Sequence, residues 1–404
     1  MNKPDRLTPL EEAFRTVDEK LSGIRTGGEM IAAREAFGRV TLSDQRSRLD
    51  LPPFDKSAMD GYAALANDER DEYRVVETIA AGQVGKARLS PGTVVKIMTG
   101  AAVPDGTGRV IIVEHAEERG EFIQVHKHDH AANICRKSED VKAGDLIVAA
   151  GTALGAVEIA NLISCGVTSV EVARRVRMAV ISTGGEIVDT PDELAPGKIM
   201  NSNGPMLAAL GKMSGIDVVS EHTVPDESGA TEQAVRGAMG EADLVVLSGG
   251  VSAGEFDCVL EALSDVGLKV HFSRLAVQPG KPTVFATAGE KVVFGLPGNP
   301  VPVFLMFHLF VLRAVAHLTG RAPGMRMFRL RLASDYTRKK AERYAFMPAG
   351  LTENGEVEPM AYHGSAHLAA LLRADGFFAV PIGVSQLRKG EVVTFMPISR
   401  GSVW

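Results

Sequence analysis

The order of apolar runs and turn residues divides the chain into stretches of different rhythm. Thr8-Pro9-Leu10-Glu11 reads as a helix start, with Thr8 as N-cap, Pro9 at the first helical position and Glu11 completing a capping box; the helix predicted here runs to Leu21 and stops at Ser22-Gly23. Between Leu51 and Ile147, short β-branched runs (RVVETIA, VVKIM, RVIIVEHA, EFIQVHKH) alternate with turns such as SPGT and PDGTG, which predicts a β-rich module. A helix from Ala156 to Cys165 and a strand, VTSVEVA, follow. Near Arg177 the strands MAVIS, IDVVSEHTV and DLVVLSGG begin to alternate with the helices GPMLAALGKMSG, ESGATEQAVRGAMGEA and FDCVLEALSDVG, VFATAGEKVVFGL reads as two strands around a turn, and a long helix from Pro300 to Thr319 closes the series. This alternation predicts an α/β domain with a mostly parallel sheet covered on both faces. After Arg321-Ala322-Pro323-Gly324, short strands return (FRLRLA, RYAFMPAG, GFFAVP, EVVTFMPI), a second small β module.

Composition narrows the function. The 404 residues carry 44 Lys+Arg against 50 Asp+Glu, a net charge of −6, so the basic footprint of a general nucleic-acid binder is missing. Cys135, Cys165 and Cys258 are too few and scattered for a disulfide framework, which fits a reducing cytoplasm. The start, MNKPDRLTPLEEAF, has no apolar signal core, and the most apolar stretch, Val301 to Leu318, is broken by His308, Arg313 and His317. A bilayer span needs ~20 largely apolar residues, so this stretch is expected to be a buried helix and no membrane partner is expected.

Three loops at predicted strand ends carry the chemistry. They are STGGE with Ser182, Thr183, Gly184 and Glu186; SGGVSAGEFD with Ser248, Gly249, Gly250, Ser252, Gly254, Glu255 and Asp257; and GLPGNP with Pro297, Gly298, Asn299 and Pro300. Glycine-rich turns expose backbone N–H groups and can hold phosphate or another oxyanion. None matches a Walker or Rossmann fingerprint, which disfavours ATP hydrolysis and NAD binding. Carboxylates beside such loops suit a Mg²⁺ bridging to phosphate, although Asp257 could equally cap the helix that follows. Lys281, in VQPGKPT, is framed by two prolines and so presented on a stiffened loop. PPFDKSAMDGYA adds Asp55 and Asp60. His126, His128 and His130 fall on one face if extended, where an exposed strand edge is a simpler reading than a metal site.

Together, PPFDKSAMDGYA, VVKIMTGAAVPDG, NICRKSEDVKAGD, STGGEIV, GKIMNSNGPML, LSGGVSAGEFD, QPGKP, GLPGNPV and HGSAHLAALLRADGFFAVP resemble, in order, the MoeA family of molybdopterin molybdenumtransferases, which includes gephyrin-like E-domains. The resemblance implies an elongated protomer of four parts: a discontinuous helical domain (1–48 and 141–176), an inserted β-rich domain (49–140), a molybdopterin-binding α/β domain (177–325) and a C-terminal β-barrel-like domain (326–404). It implies a homodimer with its active cleft between subunits. It also implies insertion of molybdenum from molybdate into adenylylated molybdopterin, with AMP released and Mg²⁺ assisting. Asp60, Thr99, Asp140, Glu186, Asp257 and Lys281 match catalytic positions, Glu186 and Asp257 metal positions, and Arg343 and Ser365 molybdate contacts. Pro297 and Pro300 match in LPGNP.

The chain departs from the family pattern at Lys56, Cys135, Ser138, Gly185, Asn201, Pro302 and Pro348, and at Gln278, where many members have a lysine. A neutral donor replacing a charged one implies weaker oxyanion contact. The rival functions are a non-catalytic pterin-binding or scaffold paralogue, and a related pterin enzyme with altered oxyanion preference.

Overall fold

The structure, a computed structural model, describes residues 6–128, 131–250 and 258–398. It divides into two compact units, one of residues 1–29, 38–42 and 172–404, the other of residues 30–37 and 43–171.

The first unit holds a six-stranded sheet in the order Asp217–Val224, Arg177–Thr183, Leu244–Ser248, Lys291–Leu296, Val284–Ala288, Lys269–Phe272. The first four strands are parallel, in line with the mostly parallel sheet expected, and Val284–Ala288 pairs antiparallel with both neighbours, so the sheet is mixed towards one edge. The reason is local. Gly289, at φ 56°, turns the chain straight back into Lys291–Leu296, and a hairpin needs no crossover helix. Met178, Val180, Leu244, Val246 and Phe294 enter one core with the helices starting at Leu10 and Pro300. Ala179, Ile181, Val245, Leu247 and Val293 enter another with Val235 and Ala238 of helix Ser228–Glu241. Burial on both faces explains why these strands read as unbroken apolar runs.

The helix Pro300–Leu318 is long and apolar enough to cross a membrane, yet most of it is buried within this core. Its hydrogen bonding widens to a π-helical stretch at Phe307–Val311. The polar residues that interrupt it grip Asp18 of helix Leu10–Leu21, with Arg313 Nε and His317 Nε2 each 2.7 Å from Oδ1. That first helix begins at Leu10, with no side-chain cap. Thr8 is instead paired with Leu275: its N–H donates to Arg274 O at 2.9 Å and its carbonyl accepts from Ala276 N at 2.8 Å. Tertiary strand pairing has displaced the expected capping box.

A second sheet of this unit runs Val277–Gln278, Tyr344–Leu351, Gly376–Val380, Val392–Pro397, Phe328–Arg331, with Val357–Pro359 beside Tyr344–Leu351. Among the described residues its edge strands do not meet, so the sheet is open and the barrel-like expectation is corrected. A closed barrel would bury one face within itself. Here Phe346, Phe377 and Met396 join the α/β core instead, while Ala345, Phe378 and Phe395 form a core of their own.

The second unit carries a six-stranded sheet, Thr107–Ile112, Gly61–Leu65, Thr93–Ile97, Glu72–Ile79, Phe122–Val125, Ala116–Arg119, parallel only between Glu72–Ile79 and Thr93–Ile97. Tyr62 and Tyr73 are buried in it. A Cβ on Gly61 would lie 2.0 Å from Ile111 O, so glycine is what lets this strand, and the Asp60 before it, approach its neighbour.

Candidate functional site

Strand register brings the three glycine-rich loops of the first unit to one level. Ser182 is opposite Ser248, and Ser248 is opposite Leu296, so STGGE, SGG and LPGNP all leave the carboxyl edge of the sheet side by side. Ligands of such sheets bind at this edge. Gly249 N–H donates to Leu296 O at 3.2 Å and Gly184 N–H to Val224 O at 3.3 Å. Gly249 has φ +93°, and a Cβ there would stand 2.1 Å from Thr183 O; at Gly250, with φ +62°, it would stand 2.7 Å from Thr183 Oγ1. Only glycine permits both the conformation and the closeness. Further hydrogen bonds fix the edge: Asn203 Nδ2 to Gly298 O at 2.6 Å, Asn299 Nδ2 to Ser365 Oγ at 2.6 Å, and Gly204 N to Asn201 Oδ1 at 3.0 Å.

Within this edge, Thr183 Oγ1, Ser248 Oγ and Asn203 Oδ1 are buried without a hydrogen-bond partner among the described residues. A polar atom withdrawn from water and unpaired costs about 1–3 kcal/mol. Three in one place mark where a polar ligand would make the missing bonds.

Glu186, exposed after Gly185, lies close enough to Asp226 for its charge to act on it. Burial, and then the Glu186 charge, hold the Asp226 carboxyl above the usual carboxylate value. Asp226 Oδ1 is 3.1 Å from the position a Cβ would take on Gly250. Sequence reasoning missed Asp226 because its loop carries no glycine signature; its place after a fourth parallel strand, Asp217–Val224, was the available signal. A carboxylate whose ionised form is disfavoured by burial and by a neighbouring carboxylate suits a divalent cation completed by ligand oxygens. No group of three or more His, Cys, Asp or Glu forms a metal cage among the described residues. Ser252, Gly254, Glu255 and Asp257 lie outside the described residues.

Two basic residues, Lys281 and Arg343, lie beside the second sheet. Val277 pairs with Tyr344, and Arg343 Nη1 donates to Val277 O at 3.3 Å, so Arg343 adjoins the QPGKP loop. Gly280 packs on Met306, its would-be Cβ 2.6 Å from the Met306 Cε. Ser365 O accepts from Val301 N at 3.2 Å, so QPGKP and the Ser365 loop both touch the start of the long helix. The Lys281 ammonium has no hydrogen bond or ion pair with a described residue. Pro297 precedes Asn299, which stands at the N-cap position of this helix without a side-chain capping bond, Pro300 begins it, and Pro302 sits buried in its first turn, where a missing N–H costs little.

In the second unit, Asp60 Oδ1 accepts from Thr99 N at 2.6 Å and Thr99 Oγ1 at 2.8 Å. Asp55 is bound by Lys137 N and Arg136 Nη1, each at 2.7 Å, which draws segment 133–140 against segment 50–57, with Cys135 opposite Lys56. Asp140 donates its N–H to Leu51 O at 3.0 Å and leaves its side chain exposed. His126 and His128 take separate partners: the strand ends at Val125, His126 Nε2 meets Glu114 O at 3.2 Å, and His128 Nε2 meets Asp71 Oδ1 at 2.9 Å, while His130 lies outside the described residues.

Residues 8–166 match the description "MoeA N-terminal region (domain I and II)", residues 179–317 "Probable molybdopterin binding domain" and residues 329–398 "MoeA C-terminal region (domain IV)". A molybdopterin molybdenumtransferase of Staphylococcus epidermidis is 34% identical over 370 residues, covering 89% of this chain and 88% of its own. One from Staphylococcus aureus strain Mu50 is 33% identical over 396 residues, covering 95% and 94%. The crystal structure of the molybdopterin biosynthesis MoeA protein of Pyrococcus horikoshii OT3 superposes with a TM-score of 0.85 at 29% identity, over 97% of this chain and 100% of that one. The chain belongs to the MoeA family of molybdenum cofactor biosynthesis, a family of transferases.

Proposed function

We propose that this chain takes adenylylated molybdopterin and molybdate, inserts the molybdenum into the pterin dithiolene and releases AMP. The observation that carries the reading is the row of buried polar atoms without a partner among the described residues, Thr183 Oγ1, Ser248 Oγ and Asn203 Oδ1, along the glycine-gated edge of the α/β sheet. These atoms would orient the nucleotide-capped pterin, and the close-packed loops around Gly249 and Gly250 would exclude water from it. Lys281, Arg343 and Ser365 would hold molybdate, since charged donors and a hydroxyl match a tetrahedral oxyanion. Glu186 and Asp226, with Asp257, would hold Mg²⁺. When bound, Mg²⁺ would neutralise charge developing on the departing phosphate.

Asp60, Thr99 and Asp140 act, in this reading, across a homodimer, each cleft drawing acids from the other subunit's β-rich domain. Light scattering on the purified chain tests it by its mass. The setting is cytoplasmic, in keeping with three cysteines too few and scattered for a disulfide framework. Gln278 keeps a second reading in play, a pterin-binding paralogue that has lost transfer, because it leaves Lys281 and Arg343 as the charged donors of the cradle. Crystals grown with AMP and molybdate test the placement. Molybdenum density beside Lys281 and Ser365, with AMP along Thr183 and Ser248, supports transfer; AMP bound with no molybdenum supports the paralogue.

A further inference from the structure

Two histidines bracket Ser365. Their rings stack with centroids 5.1 Å apart and planes at 24°. The backbone N–H of His363 donates to Nδ1 of His367 at 3.3 Å. A ring nitrogen that accepts carries no proton, so the donor left to His367 is Nε2, on the far side of the ring from this contact. Ser365 between them is fixed twice, its Oγ accepting from Asn299 Nδ2 at 2.6 Å and its carbonyl from Val301 N at 3.2 Å. A hydroxyl that accepts in this way keeps its own O–H to give. The segment AYHGSAHLAALLR has no acidic residue, so nothing in the turn itself repels an anion. Tyr362 adds none, because burial pushes its hydroxyl up to about 12 and keeps it neutral.

We propose that His363 and His367 are specificity-determining residues which, together with the Ser365 hydroxyl, donate hydrogen bonds to a tetrahedral oxyanion. The inference rests on the reading of Ser365 as an oxyanion contact. It adds two imidazole donors to a cradle in which Gln278 stands as a neutral amide beside Lys281 and Arg343. The oxyanion has two possible sources, free molybdate and the adenylyl phosphate of the pterin nucleotide.

Titration calorimetry on the full chain separates them, with sodium molybdate alone in one arm and AMP alone in the other. His367→Asn keeps an acceptor near the Nδ1 position and loses the distal donor, whereas His367→Gln places an amide N–H near Nε2. His367→Asn should weaken molybdate binding on the order of five- to tenfold, the value of one neutral hydrogen bond, and His367→Gln should restore most of it. Thermal unfolding should match wild type in both, since the side chain lies at the surface of the turn. Weakening of AMP alone would support the contact with phosphate as the oxyanion. The proposal is overturned if the double variant His363→Ala/His367→Asn binds both anions like wild type while Lys281→Ala weakens molybdate. If Lys281→Ala and Ser365→Ala also bind molybdate like wild type, the cradle itself is wrong and the inference falls with it.

Discussion

Asp60 holds Thr99 by both ends of its donor set, with one carboxylate oxygen accepting the backbone N–H at 2.6 Å and the hydroxyl at 2.8 Å. The pair joins the start of strand Gly61–Leu65 to the end of Thr93–Ile97. It makes two motifs that are far apart in sequence a single feature.

The backbone N–H of Thr99, and then its hydroxyl, hold the Asp60 carboxyl below its ordinary 3.8. A depressed folded value means the pair stabilises the fold above the unfolded value and loses that effect as pH falls through the folded one. Thr99→Val removes only the hydroxyl bond. Carboxyl NMR titration should show Asp60 moving part of the way back towards 3.8 and still remaining below it.

At Gly249, alanine meets both a φ of +93° and a Thr183 oxygen 2.1 Å from its Cβ. A residue held in that region costs on the order of 1–3 kcal/mol before the clash is counted. Gly249→Ala should therefore lower the denaturant midpoint. Gly185→Ala, whose Cβ meets nothing within 4 Å, should leave it close to wild type.

Thr183→Val swaps a buried hydroxyl that has no hydrogen-bond partner among the described residues for a methyl of the same shape. Removing an unsatisfied buried group should hold or raise stability, by up to about 1 kcal/mol. Affinity for the pterin nucleotide should fall by about tenfold, as measured by fluorescence titration. Loss of stability with unchanged affinity would make the hydroxyl structural.

Asp226→Asn tests the acidic pair. Burial and the Glu186 charge raise the Asp226 value, so the ionised side chain costs stability as pH rises through the unfolded value towards the folded one. The variant should melt higher than wild type at pH 7 without magnesium. Added Mg²⁺ should raise the wild-type melting temperature and leave that of the variant unchanged.

Much of this was legible in the chain. Apolar runs such as MAVIS and DLVVLSGG predicted strands that the structure places at Arg177–Thr183 and Leu244–Ser248, because burial on both faces leaves an unmistakable pattern. Thr8 misled because its backbone pairs with a segment more than 260 residues away, opposite Leu275, which no local capping signal reveals. The open C-terminal sheet was hidden for a similar reason: strand lengths do not say that Phe346 and Phe377 face a different core from Phe378. At the site, glycines advertised three loops, and register alone exposed Asp226 as a member of the fourth.

The central claim is that the sheet edge holds a pterin nucleotide whose AMP leaves when molybdenum enters. Purified protein supplied with adenylylated molybdopterin and Mg²⁺ should release AMP only after molybdate is added, in proportion to the molybdate consumed. AMP release at the same rate without molybdate, or none with the nucleotide demonstrably bound, would contradict it.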